Sequence, residues 1–246
     1  MSNFPSISGL PNLTTEQMVE VDRAMIEDYR IELIQMMENA GRNLAHLARA
    51  RFLDGDPRGR AVVVLAGSGG NGGGALVAAR RLSNWGADVA VVLGQPSRNM
   101  TPVPSHQLDI LGRMGVRIVA DEIPPAAPPP AVVLDGLIGY SLRGPPLGRI
   151  AELIRWANLL AAPILALDTP SGLDVTTGVA FDPVIRATAT MTLALPKQGL
   201  RSAAVSALLG ELYLADISVP PGLYRRAPLG LPLEAIFALD DIVRIR

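Results

Sequence analysis

Gly67-Ser-Gly-Gly-Asn-Gly-Gly-Gly74 is the stretch on which the fold turns. It follows the apolar run Ala61-Val-Val-Val-Leu-Ala66 and precedes Ala75-Leu-Val-Ala-Ala-Arg-Arg-Leu82. A short β-branched run, a glycine cluster and a helix-forming run read as strand, loop and helix. Glycine admits backbone conformations closed to other residues and lets a ligand approach the main chain. The unpaired amides that open the following helix favour an anion such as phosphate. A phosphorylated small molecule is the expected ligand.

Outward from this unit, strands alternate with helices. Strands are predicted at 61–67, 88–94, 116–120, 131–138, 163–168, 187–195 and 211–217, and helices at 73–85, 103–114 and 147–160. Several strands are continuous Val/Leu/Ile runs, as buried parallel strands are. The alternation predicts an α/β fold, a Rossmann-like three-layer α/β/α sandwich with a mostly parallel sheet. The last two strands follow one another without a helix between them, which predicts an antiparallel edge. Upstream lies a helical pair, over 14–51. Thr14-Thr-Glu-Gln17 reads as a capping box, with Met18, Val21 and Met25 on one helical face. A second helix from about 32 to 51 carries Leu33, Met37, Ala40, Leu44 and Leu47 as one stripe. The organisation is therefore a single domain over 1–246: helical pair, α/β core over 60–220, and a tail over 221–246 that packs on the body or on another subunit. Pro124-Pro-Ala-Ala-Pro-Pro-Pro130 is a stiff spacer between strands.

Composition removes whole function classes. Lys and Arg total 22 against 23 Asp and Glu, a net charge of -1, so there is no basic field for nucleic acid. Aromatic residues make up 4%, too few for a base-stacking platform. There is no cysteine, hence no disulfide or thiolate metal site, and the two histidines, His46 and His106, read as ordinary helix residues. The start lacks a signal peptide, and no apolar run nears the roughly 20 residues of a bilayer span. A cytoplasmic protein without membrane contact is expected.

Ligands of open α/β sheets bind beyond the carboxyl ends of the strands. Three such ends carry polar residues: the glycine run with Asn71, Asp135 after Ala131-Val-Val-Leu134, and Asp168 after Ile164-Leu-Ala-Leu167. A carboxylate placed just after an apolar strand is costly to bury alone. Either the two acids share a cation or substrate hydroxyls, or each caps the turn that follows it. A dehydrogenase reading is disfavoured: Gly67, Gly69 and Gly72 fit G-x-G-x-x-G, but the second strand ends in Gln95 rather than a ribose-binding acid. No Lys-Ser or Lys-Thr closes the glycine run, which excludes a P-loop.

At these residues the chain resembles the YjeF N-terminal domain family, whose characterised members are NAD(P)HX epimerases and which includes the apolipoprotein A-I binding protein. The resemblance covers roughly 14–220 and rests on Met37-Glu-Asn-Ala-Gly-Arg42, the glycine run through Arg80, the Asp135 segment, Asp168-Thr-Pro-Ser-Gly-Leu-Asp174, Leu195-Pro-Lys-Gln-Gly-Leu200, and 210–220. It implies an isomerase of nicotinamide nucleotide repair. The substrates are hydrated NADH and NADPH, which carry a hydroxyl at nicotinamide C6, and the enzyme interconverts their R and S epimers. It implies a potassium ion, held here by Asn71, Asp135 and Ser171, a donor set of the oxygen type that hard cations prefer. It places the dinucleotide against Gly70, Asn71, Gly72, Gly73 and Gly74, and against Gly139, Tyr140, Ser141, Leu142, Arg143, Gly144 and Pro145, with Arg143 on a phosphate. Asp168 is the substrate-contacting acid–base residue. A homodimer is expected, and a dehydratase on a separate polypeptide, since the chain stops at Arg246.

Two departures from the family pattern carry a second reading. The family's Asn-Asn-Gly-Gly-Asp-Gly is here Gly70-Asn-Gly-Gly-Gly74-Ala75, and its Gly-Thr-Gly is Gly139-Tyr-Ser141. The loss of the loop carboxylate and the bulk of Tyr140 allow a homologue that binds nucleotide without turnover. Lys197 reads either as a partner of the carboxylate or a phosphate, or as a solvated turn residue. Glu38 and Asn39 read either as residues that approach the site or as caps or bridges between elements, Asp174 as a turn residue, and the methionines of the first two helices as packing.

Overall fold

A computed structural model of the chain describes residues 4–125 and 128–245. Helix α1 (Thr15–Glu27) opens on the capping box read from the sequence: the Thr14 hydroxyl accepts from the Gln17 amide, and the Gln17 side chain accepts from the Thr14 amide. Helix α2 (Leu33–Phe52) buries Met37, Ala40, Leu44 and Leu47, whereas Leu33 of the same stripe stays 37% exposed. The alternating region then runs β1 (Ala61–Ala66), α3 (Gly70–Asn84), β2 (Asp88–Leu93), α4 (Pro102–Arg113), β3 (Arg117–Val119), β4 (Val132–Gly136), α5 (Gly148–Leu159), β5 (Ile164–Leu167) and β6 (Ala189–Leu193). The chain ends with α6 (Ser206–Leu209), β7 (Glu211–Ala215), α7 (Pro221–Arg225) and β8 (Ile242–Arg244). The spacer over 124–130 lies partly outside the described residues, at 126 and 127.

The strands form one sheet in the order β3-β2-β1-β4-β5-β6-β7-β8. On one face α2, α3 and α4 bring Leu44, Leu47, Leu76, Leu82 and Leu111 against Val62, Val64 and Leu134. On the other face α5 packs Leu153, Ile154 and Ala157 against Leu65, Val133 and Ala166. Each such fully buried aliphatic side chain contributes about 1.5–3 kcal/mol. The result is the three-layer sandwich. A further cluster joins Met18, Val21 and Met25 of α1 to Met36, Ala194, Ile217, Leu223 and Tyr224, which fixes the helical pair beside the ends of β6 and β7.

The structure corrects two expectations. The edge predicted to be antiparallel is parallel: β6 pairs with β7 in register Ala189↔Glu211 through Leu193↔Ala215. The connection between them needs no long helix, because short helical turns and α6 carry the chain back. The antiparallel strand is β8, from the tail, which pairs with β7. Second, Gly70–Gly74 is not a loop but the start of α3, and the connection itself is only Gly67-Ser68-Gly69. None of these glycines has a positive φ. Their small size serves close approach instead. A Cβ on Gly67 would fall on the Leu137 carbonyl, and one on Gly73 would fall on the Met37 sulfur. A Cβ on Gly74 would lie 2.9 Å from the Leu167 Cδ2 atom.

Candidate functional site

From β1 the chain passes to β2 on one side of the sheet, while β4 lies on the other side of β1. This is the switch point at which doubly wound sheets leave a crevice beyond their carboxyl ends. The turns after β1 and β4 line that crevice and are laced together, with the Gly67 amide donating to the Gly136 carbonyl at 3.0 Å.

Asn71, Asp135 and Ser171 come together behind the crevice wall. Asp135 is fully buried near the end of β4. Its Oδ2 accepts from the Ser171 amide at 2.8 Å, and its Oδ1 accepts from the Ser171 hydroxyl at 2.7 Å and the Leu137 amide at 3.2 Å. Burial pushes its carboxyl up to about 6, against these hydrogen bonds. The Ile138 peptide joins the three residues: its amide donates to the Ser171 Oγ at 2.9 Å, and its carbonyl accepts from the Asn71 Nδ2 at 3.2 Å. Asn71 also donates to the Leu167 carbonyl at 2.7 Å, which ties α3 to the end of β5. The three side chains carry oxygen, as do the Ile138 and Leu167 carbonyls, and the buried carboxylate has only neutral donors around it. Such a set fits a hard cation of low charge.

Asp168 sits one residue past β5 with φ 65, in the left-handed region that Asp and Asn tolerate best. It is 2% exposed, and Lys197 is 0% exposed. The two form an ion pair. Asp168 Oδ1 also accepts from the Thr192 hydroxyl at 3.2 Å and the Leu193 amide at 3.2 Å. Lys197 Nζ donates as well to the Leu193 carbonyl at 2.8 Å. Of the two sequence readings of Lys197, the solvated turn residue is thus excluded. Backbone strain held by a buried ion pair is what over-determined functional positions show.

Two adjoining clefts open over these groups. The inner one, about 520 Å³, has Asp22, Asp168 and Lys197 in its walls, with Met18, Met36 and Met37 as apolar lining. The outer one, about 1010 Å³, runs along Ser68–Gly72, Gln95 and 137–141 to Ile150. Asp22, Leu33, Gly70, Asn71 and Tyr140 line both. A channel at the amino end of the 15-residue α3 therefore adjoins a mostly apolar chamber with the Asp168–Lys197 ion pair in its wall. Helix-start amides favour phosphate in such a channel, and the apolar lining of the inner cleft suits a ring.

The sequence-predicted residues divide accordingly. Gly70, Asn71, Gly72, Gly139, Tyr140, Ser141 and Asp168 line the clefts. Gly73 and Gly74 face Met37, Ala40 and Leu167 and serve helix packing. Leu142, Arg143, Gly144 and Pro145 continue away from both clefts, with Arg143 exposed. Glu38 is a bridge: its carboxylate takes Arg80 at 2.6 Å and Gln107 at 3.1 Å, joining α2, α3 and α4. Asp174 caps its turn through the Thr176 amide at 2.7 Å. The methionines read as packing also line the inner cleft.

One wall residue went unread in the sequence. Asp22 of α1 accepts from the Tyr140 hydroxyl at 2.5 Å. Its position beside Met18 and Met25, one turn away on either side, was the available signal: an acid at the rim of a buried helical stripe.

Residues 33–199 match the family model described as YjeF-related protein N-terminus. A protein of Dehalogenimonas lykanthroporepellens named NAD(P)H-hydrate epimerase is 46% identical over 217 residues, covering 88% of this chain and 86% of its own length. One of the same name from Rhodopirellula baltica is 33% identical and covers 88% of both chains. A protein of Salinibacter ruber named bifunctional NAD(P)H-hydrate repair enzyme is 36% identical, and the match spans 42% of its length. The crystal structure of yeast ynu0 superposes with a TM-score of 0.80 at 23% identity, over 96% of this chain and 100% of that one. By its matched residues and by its relatives, the chain belongs to the YjeF-related protein N-terminus family.

Proposed function

We propose that the chain is an NAD(P)H-hydrate epimerase, which interconverts the R and S epimers of hydrated NADH and NADPH. The observation that carries this is the continuity of the two clefts: the nucleotide channel at α3 ends on the Asp168–Lys197 pair. Relatives that match along most of their length carry that name.

Inversion at C6 requires the hydroxyl to leave and water to return on the other face. The N1 lone pair drives departure and leaves a planar, cationic ring. In this reading the Asp168 carboxylate lies by that cation and takes the proton of incoming water. Lys197 holds the carboxylate in place, and its own stem is buried. The methionine-lined walls keep the ring flat and limit water to the reacting molecule. Asn71, Asp135 and Ser171 would hold potassium, which supplies positive charge that fixes the turns after β4 and β5 against each other. The protein is proposed to work in the cytoplasm as a homodimer, with a dehydratase consuming its product. Among the described residues no helix is long and apolar enough to cross a membrane.

The test is direct. One pure epimer of hydrated NADH is mixed with the purified chain and the other epimer is followed by chromatography. Its appearance far above the spontaneous rate supports the enzyme. Tight binding without inversion supports instead the second reading, a nucleotide-binding homologue, which Gly74 in place of the loop acid and the bulk of Tyr140 favour.

A further inference from the structure

Asp168 alone serves one face of the ring, and epimerisation needs both. We propose that Asp22 is a second proton-transferring group of the site, acting from the helical wall of the inner cleft while Asp168 acts from the sheet wall, with Tyr140 as its positioning residue. The inference rests on the epimerase reading.

The two carboxylates are built alike. Asp168 takes its three donors on Oδ1, and Asp22 takes the Tyr140 hydroxyl on Oδ2. Each therefore keeps one oxygen without a hydrogen-bond partner among the described residues, and both residues line the same chamber. They arrive from separate elements, Asp22 from α1 and Asp168 from the end of β5. Burial raises Asp22 above the usual carboxylate range, opposed by the Tyr140 hydrogen bond and the Lys197 charge and assisted by the Asp168 charge. Asp22 also contributes to the raised value of Tyr224 on α7. From α2 the chamber receives only Leu33, Met36, Met37 and Ala40, none of which titrates. A carboxyl held toward its protonated form beside a paired carboxylate is how acid and base roles are separated in one site.

Asp22 gives its proton to the C6 hydroxyl, the C6–O bond breaks with its electron pair on oxygen, and water leaves. The N1 lone pair forms N1=C6. Water then attacks C6 from the opposite face, the N1=C6 pair returns to N1, and the excess proton passes to Asp168. In the reverse direction the two carboxyl groups exchange roles. Solvent returns the proton between turnovers, and nothing is oxidised or reduced.

The experiment uses wild-type and Asp22→Asn chains with each pure epimer in ¹⁸O-labelled water, with inversion read by chromatography and oxygen exchange by mass spectrometry. The variant is expected to lose inversion by about 10²–10⁴-fold. Exchange with retention is expected to survive on the epimer whose hydroxyl faces Asp168. A residue that merely braces α1 would lower both together, so equal loss of exchange and inversion, or inversion at the wild-type rate, overturns the proposal. Tyr140→Phe is the second variant: without its hydrogen bond Asp22 rises further, and the high-pH limb of the kcat profile moves upward. An unmoved profile overturns the proposal. If wild type inverts neither epimer, it is the epimerase reading that has failed.

Discussion

Lys197→Met asks whether the buried ion pair is held as tightly as its surroundings imply. Lys197 is 0% exposed and Asp168 is 2% exposed, so bulk solvent screens the pair little. Met replaces much of the apolar stem and adapts to the same channel. What disappears is the ammonium. Asp168 is left with the Thr192 hydroxyl and the Leu193 amide, each at 3.2 Å. Removing one partner of a buried pair costs about 3–5 kcal/mol, because the other charge stays behind uncompensated. For a chain of 246 residues, a kcal/mol is worth roughly 2–4 °C, so the melting point falls by roughly 6–20 °C. Asp168→Asn keeps the left-handed backbone, which Asn tolerates, and strands the lysine instead. The double variant strands neither. Guanidinium unfolding of the four proteins forms a double-mutant cycle, with an expected coupling of about 2–3 kcal/mol. Single variants that each cost under about 1 kcal/mol, or costs that simply add, would show that the two charges are not held by one another.

Other consequences can be measured separately. Gly67→Ala drives a methyl into the Leu137 carbonyl, which is backbone and cannot swing away, whereas at Gly70 the nearest atom to a Cβ is the Met37 Cε at 3.9 Å. Thermal melts should show a loss of about 1–3 kcal/mol or more for the first and under about 0.5 kcal/mol for the second. Asp22 titrates above its unfolded value of 3.8, so the folded protein loses stability through this group as pH rises through the raised value. Asp22→Asn removes that loss, and melts at about pH 4 and about pH 7 should show its advantage over wild type growing with pH. Potassium at a hundredfold its dissociation constant should raise stability by about 2.7 kcal/mol relative to a bulky organic cation. Ser171→Ala should abolish most of that increment, and an equal response in both proteins would remove Ser171 from the cation site.

Much of this site was legible because its parts end apolar strands. Asp135 and Asp168 stand out as acids directly after runs of Val, Leu and Ile, and the glycine run marks the first crossover. What stayed hidden depends on partners far off in sequence. Asp22 meets Tyr140 across 118 residues, and its place at the rim of a buried stripe does not name that partner. The role of Gly73 and Gly74 follows from the depth to which α2 settles on α3, which no period encodes. Strand β8 is three residues long and ends in Arg244, too short for alternation to register, and it exists because β7 offers it an edge. The parallel pairing of β6 and β7 was misread for a similar reason: α6 is four residues long, and a crossover needs reach rather than a long helix.

Asp168, the carboxylate at the end of β5, is the residue on which inversion at C6 depends in the proposed reaction. The deciding measurement is kcat for epimerisation of a pure epimer of hydrated NADH by Asp168→Asn, with nucleotide affinity measured on the same sample. Retained binding and a kcat lower by about 10²-fold or more are expected; undiminished turnover in the Asn variant would exclude Asp168 from the proton transfer.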